Sequence, residues 1–294
     1  MAAARVVALS LRGLGVEAGE LVRRWAGPAA EFLAAAGVVA AGLAFLGPLL
    51  RAGLVYYERD TVVFYYPVLA AIHDRLRGFE LPLWTPHILG GYPLFADGEV
   101  GAFYPPVFFG ALLLGPAELF VALVAAHLVL AGLTMYAFGR TLGLGRVGAV
   151  ASACAYMLSG FTVAQVHHLN ILAGLAWAPL VFALAEAAFR RRDRPRLAAL
   201  VGAGVAFGLQ CLTVHVQVPM MTGFGLAVYV AGRVLLGPAA GLGVSNPLRD
   251  PGRTLAAAAG RLGLGLGILL GVPLVGGVVG AVQLLPLHEL GTFS

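Results

Sequence analysis

The run "AELFVALVAAHLVLAGLTMYAFG", residues 117–139, decides the fold. It is longer than the roughly 20 residues needed to cross a bilayer core, and Glu118 and His127 are its only acidic or basic side chains apart from the phenol of Tyr136. Comparable apolar runs occur at 29–50, 147–165, 171–189, 197–214, 218–236 and 262–285. In hydrocarbon every backbone N–H and C=O must be paired within the structure, which leaves helices or a closed barrel. The runs are continuous rather than alternating, so helices are expected. Composition agrees. Hydrophobic residues make up 60% of the chain and charged residues 11%, with a mean hydropathy of +0.90, whereas a soluble domain is about half apolar and about 25% charged. The expected fold class is all-α, a polytopic transmembrane helical bundle of about seven spans.

Charge gives the expected orientation. The net charge of +5 comes from arginines scattered between the apolar runs, with no lysine, a topology signal rather than a nucleic-acid surface. Placing the N-terminus in the cytoplasm puts Arg5, Arg12, Arg23, Arg24, Arg140, Arg146, the run "RRRDRPR" (190–196), Arg233, Arg249, Arg253 and Arg261 on one side. Only Arg51, Arg59, Arg75 and Arg77 fall on the other. Residues 1–28 then form a cytoplasmic or interfacial lead-in, since arginines interrupt any signal-peptide core too soon. Residues 29–294 form the membrane domain, in which 51–116 is the first extracytoplasmic loop. Within that loop "PPVFFGALLLGP" (105–116) is too short to cross and reads as interfacial or re-entrant. The junction "QVHHLN" is either a tight turn or part of a broken helix. Cys154 and Cys211 lie within apolar runs and read as small packing residues.

The polar chemistry gathers on the outer side. The first loop carries Asp60, Asp97 and Glu99, and His167, His168 and His215 fall at outer span ends. A carboxylate such as Asp60 at a membrane boundary is costly unless solvated, paired or functional. It can accept a proton from an attacking hydroxyl or bind a cation; the plain alternatives are an ion pair with Arg59 or an N-cap. Asp97 and Glu99 read either as a solvated loop tip or as a second acidic pair. The histidines, with Gln217, either satisfy frayed helix ends or line a polar cavity for phosphate and sugar hydroxyls. Trp84, Tyr92, Phe95 and Tyr104 read as interfacial aromatics or as a platform for a sugar ring. No ligand spacing marks a metal site.

The string "LPLWTPHILGGYPLFADGEVGAFYPP" (81–106), preceded by "RDTVVFYYP" (59–67), resembles the YfhO family of bacterial membrane proteins. The similarity continues through "SGFTVAQVHHLNILAGLAWAPLVF" (159–182), "LTVHVQVP" (212–219) and "AVQLLPLHEL" (281–290), and so covers roughly residues 50–290. That family resembles the GT-C class of glycosyltransferases that use polyprenyl-phosphate sugars. The resemblance implies a GT-C-like fold with a structured first extracytoplasmic loop, and an inverting transfer from a polyprenyl-phosphate-linked sugar to a cell-envelope acceptor at the outer face of the bacterial cytoplasmic membrane. Asp60 stands where the class carries its catalytic base, and Asp97, then Glu99, where a second acidic residue is plausible. His215 and Gln217 match the family's His-x-Gln, although the glycine expected before the histidine is Val214. Family members are longer, so the chain is expected to be an N-terminal part. Arg59, His167, His168 and His215 are candidates for the donor phosphate, and Gln217, Trp84 and Tyr104 join them as candidates for binding the donor's phosphate or sugar. Mg²⁺ or Mn²⁺ suits carboxylates facing phosphate oxygens, but nothing in the sequence requires a cofactor. The rival expectation is a non-enzymatic transporter, flippase or envelope-assembly subunit. It rests on the glycine-rich last span, which is either one tilted helix or two half-helices, and on His127 as the one ionisable residue well inside a span.

Overall fold

The computed structural model describes residues 18–53, 57, 60–88, 90–236 and 251–293, with side chains from 27 onward and, after the gap, from 255. Most of the expected lead-in, and Arg59, lie outside the described residues. The elements are α1 (Ala18–Arg51), a π-helical turn (Thr61–Tyr65) leading into α2 (Tyr66–Arg77), α3 (Pro105–Leu113), α4 (Pro116–Leu142), α5 (Arg146–Met157), α6 (Gly160–Ala164), α7 (Leu169–Arg190), α8 (Asp193–Cys211), α9 (Gln217–Leu236) and α10 (Pro251–Gly291). Among the described residues there is no strand, only an isolated bridge between Thr85 and Tyr92.

Among the described residues six segments are long and apolar enough to cross a membrane: Gly27–Arg51, Pro116–Leu142, Arg146–Ala164, Leu169–Arg190, Gln217–Leu236 and Leu255–Gly291. The expected fifth span, 197–214, forms α8, which is not among the six. Its first turn holds Asp193, Arg194 and Arg196, and those charges shorten its apolar part. It still runs back alongside α7, because Gly202 faces Leu184 near one end and Thr213 faces Gly174 near the other.

The third span is broken. α5 stops at Met157, Ser159 caps α6 by accepting from the Thr162 amide at 3.2 Å, and the Thr162 hydroxyl donates to the Tyr156 carbonyl at 2.9 Å. These side chains satisfy the backbone groups that the break releases. "QVHHLN" then makes a tight turn into α7. The last span is one continuous helix despite Pro273 and Pro286.

α4 and α7 form the centre. Their most apolar stretches are 56% and 61% buried in protein, against 17–22% for the other four segments. One core joins the loop to the bundle through Tyr65, Leu69, Ile72, Tyr104, Phe120 and Leu172. A second lies between α7, α8, α9 and α10 around Val181, Ala203 and Ile268, and a third around Val38, Leu128 and Met157.

α8 and α10 touch at backbone distance. A Cβ on Gly208 meets the Val279 Cβ at 2.5 Å and the Gly276 carbonyl at 2.9 Å. Small residues permit such approach where packing, not the hydrophobic effect, drives association in lipid. Gly208→Val is expected to destabilise the solubilised protein by about 1–3 kcal/mol. Gly277→Ala, at a site with nothing within 4 Å, is expected to leave it nearly unchanged. Thermal unfolding in detergent checks both, and equal behaviour of the two variants contradicts the packing.

Candidate functional site

The loop reaches the bundle at the start of α7. Asp60 takes a helical conformation (φ −69°, ψ −31°) ahead of the π-turn, and its side chain caps nothing. Instead Oδ2 lies 3.0 Å from Nε2 of His168, while Nδ1 of His168 lies 2.8 Å from Oε1 of Gln165. A carboxylate only accepts, so the doubly protonated ring satisfies both neighbours and the neutral ring only one. His168 is the N-cap residue of α7, and His167 stacks on it with ring centroids 4.1 Å apart. Asp60 stays half exposed. A π-turn is uncommon and tends to mark functional positions.

Glu99 arrives from the other arm of the loop. Its Oε2 accepts from Asn170 Nδ2 at 2.6 Å, and Asn170 Oδ1 accepts from the Tyr65 hydroxyl at 2.7 Å. Glu99 Oε1 lies 3.6 Å from Nδ1 of His215, an ion-pair distance but too long for a hydrogen bond. Tyr65 and Asn170 are buried. Burial pushes the Tyr65 hydroxyl far above its ordinary pKa, and the nearby charges of Glu99 and Asp60 push the same way. It therefore remains a donor at any physiological pH. The two carboxylates thus converge on Tyr65, at one end of α7.

Other residues singled out from the sequence stand elsewhere. Asp97 has both oxygens engaged, by the Glu99 amide at 2.7 Å and the Tyr92 hydroxyl at 2.5 Å, so it shapes the loop rather than facing a ligand. Burial and the Asp97 carboxylate raise the Tyr92 pKa. Tyr104 is buried and presents no face to a sugar: its hydroxyl accepts from Trp177 Nε1 at 2.8 Å and donates to His127 Nε2 at 2.7 Å. His127 Nδ1 in turn donates to the Leu123 carbonyl at 2.6 Å. Trp84 lies half exposed in the loop, its ring against Gly91. Gln217 begins α9 and is exposed.

Three buried residues that carry the site were not singled out: Tyr65, Asn170 and Gln283. Gln283 Nε2 donates to the carbonyls of Phe95 (2.8 Å) and Asp97 (3.1 Å) and so binds the loop to α10. The quoted string "AVQLLPLHEL" contained that signal: an amide inside an apolar helix needs a partner. Val214 adopts φ +59°, a left-handed conformation that a β-branched residue rarely takes. Such strain is found at functional sites. Gly101, also left-handed at φ +62°, packs against Val214 and the Leu212 carbonyl.

Among the described residues two cavities lie at this end of the bundle, and Glu99 lines the smaller. One of about 20 Å³, lined by Tyr65, Glu99, Tyr104, His127 and Asn170 among others, is the size of a single water. The other is an apolar groove of about 330 Å³ between α8, α9 and α10, lined by residues that include Phe207, Cys211, Val216, Met220, Phe224 and Leu284. Val214 and Val216, which flank His215, both line it. Among the described residues no group of three or more His, Cys, Asp or Glu is placed to hold a metal ion. Comparison with protein-family models, curated proteins and solved structures finds no match.

Replacing Asn170 by Ala leaves the Tyr65 hydroxyl buried without its acceptor and Glu99 without its donor. The expected cost is about 1–3 kcal/mol for the buried hydroxyl, seen as a lower unfolding temperature. An unchanged midpoint in Asn170→Ala contradicts the network.

Proposed function

We infer that the chain acts as a membrane glycosyltransferase, moving a sugar from a polyprenyl-phosphate donor to a cell-envelope acceptor at the outer face of the bacterial cytoplasmic membrane. The observation that carries this reading is the apolar groove lined by Val214 and Val216, the chain neighbours of His215, whose Nδ1 lies 3.6 Å from Glu99. A lipid-linked substrate needs both features side by side: an apolar channel for its tail and polar groups at the reacting carbon. The resemblance of residues 81–106 to the YfhO family supports the same reading.

In this mechanism the isoprenoid tail lies in the groove and the phosphate sits near His215 and His167. Asp60 is the general base. His168 has both ring nitrogens committed, whereas Asp60 keeps Oδ1 without a partner among the described residues. His168 therefore orients Asp60 rather than taking the proton itself. The acceptor hydroxyl gives its proton to Asp60 as its oxygen attacks the anomeric carbon. The bond from that carbon to the phosphate oxygen breaks on the opposite face, with inversion, and the lipid phosphate leaves as an anion. Its developing charge is stabilised by imidazole N–H groups; were a divalent cation such as Mg²⁺ or Mn²⁺ used, Glu99 would be the residue to hold it and it would supply further charge stabilisation. The transporter reading leans on His127, whose two nitrogens are both held in buried hydrogen bonds, and on a broken last span, which is continuous.

Asp60→Asn is expected to lower sugar transfer from a polyprenyl-phosphate donor by about 10²–10⁴-fold while membrane insertion and unfolding temperature stay unchanged. The assay is radiolabelled sugar transfer in proteoliposomes. Transfer at the wild-type rate by Asp60→Asn removes the catalytic assignment.

A further inference from the structure

The end of the bundle opposite the carboxylates carries a construction that occurs twice. Residues 132–142, "GLTMYAFGRTL", and 225–235, "GLAVYVAGRVL", share the pattern Gly-Leu-x-x-Tyr-x-x-Gly-Arg-x-Leu. Each lies in the last turns of a spanning helix, α4 or α9. In both copies the tyrosine and arginine, four residues apart and hence on one helix face, grip a glutamate from another span.

In the first copy Glu31 of α1 accepts from the Tyr136 hydroxyl at 2.6 Å and pairs with Arg140 at 2.7 Å and Arg146 at 2.9 Å. In the second, Glu186 of α7 accepts from the Tyr229 hydroxyl at 2.8 Å and pairs with Arg190 at 2.5 Å and Arg233 at 2.9 Å. The copies touch: the Phe138 ring lies 6.2 Å from that of Tyr229, and Arg190 reaches the Leu142 carbonyl at 3.5 Å.

Each clasp holds one carboxylate and two guanidinium groups. Among the described residues these four arginines pair with no other carboxylate, so each clasp keeps one surplus positive charge. Glu186 is 1% exposed, while its arginines are 47% and 31% exposed. The Glu31 arginines are 34% and 43% exposed. Glu186 thus faces inward while Glu31 is 37% exposed beside its arginines, and in both clasps the guanidinium groups are partly exposed at the ends of apolar helices, where head groups lie. Arginine matches phosphate geometry with paired donors, and the turn that follows α7 adds exposed Arg191, Arg192 and Arg194.

We propose that the two Glu–Tyr–Arg–Arg clasps form a paired receptor for the phosphate groups of anionic phospholipids in the leaflet at the arginine-rich end. The lipid phosphate supplies the counter-charge that each clasp lacks and ties α1, α4, α7 and α9 together at that leaflet.

The full chain in phosphatidylcholine discs is titrated with phosphatidylglycerol, and retained lipid is counted by native mass spectrometry. With two surplus charges, wild type is expected to hold phosphatidylglycerol roughly thirtyfold more tightly than phosphatidylcholine. The double variant Arg146→Gln with Arg190→Gln leaves one arginine on each glutamate, so each clasp is neutral, and is expected to lose the preference. The Arg146→Lys with Arg190→Lys pair keeps the charge and is expected to retain much of it, and Arg77→Gln, at the opposite end, retains all of it. Should the double glutamine variant not fold, Arg146→Gln alone is expected to lose one of two bound lipids. An equal preference in wild type and the glutamine variants overturns the proposal. So does inorganic phosphate that displaces phosphatidylglycerol at comparable concentration, which assigns the clasps to a soluble anion.

Discussion

The hydrogen-bond chain from Tyr65 through Asn170 to Glu99 is the constraint on which the site depends. Asn170 sits in the first turn of α7, buried, and its amide joins three parts of the chain far apart in sequence: the π-turn, the loop and the central helix. An amide in such a place is costly unless fully paired, and here its oxygen and nitrogen are both engaged. That requirement holds the loop at one registration on the bundle. Two residues earlier His168 takes Asp60, so both carboxylates are placed by a single turn of helix.

The rest of the loop is held by further paired groups. Gln283 fastens the carbonyls of Phe95 and Asp97 to α10, and Tyr104 joins α3 to α4 and α7 through His127 and Trp177. The side chains of Tyr104, His127 and Gln283 are buried, so these bonds hold the loop firmly to the bundle. By contrast the groove is bounded by α9, one of the less buried spans. A fixed polar platform beside an accommodating apolar wall suits a substrate with a defined head and a long, conformationally free tail.

Much of the helical frame was legible because long apolar runs end at arginine, glycine or proline. The expected 117–139, 171–189 and 218–236 differ by only a few residues from Pro116–Leu142, Leu169–Arg190 and Gln217–Leu236. The break after Met157 was not legible, since it depends on Ser159 and Thr162 finding partners across a gap in an otherwise apolar run. α8 reads as a span by glycine and alanine content, yet the charges of its first turn leave it short of the other six. In the candidate site, the residue types at one set of span ends and in the first loop were legible. Their pairing was not: Asp60 and His168 are 108 positions apart. Nor could spacing tell that Asp97 and Tyr104 spend their polar atoms on the fold while Glu99 faces the cavity.

The account rests on a lipid tail lying between α8, α9 and α10 with its phosphate at His215. A polyprenyl-phosphate analogue carrying a diazirine near the head of its chain, photolysed with the reconstituted protein and mapped by mass spectrometry, tests this directly. Labelling concentrated on Met220, Phe224 and Leu284, and competed by unlabelled polyprenyl phosphate, is the predicted result. Labelling spread along the outward faces of α1 and α10 with no preference for the groove contradicts it.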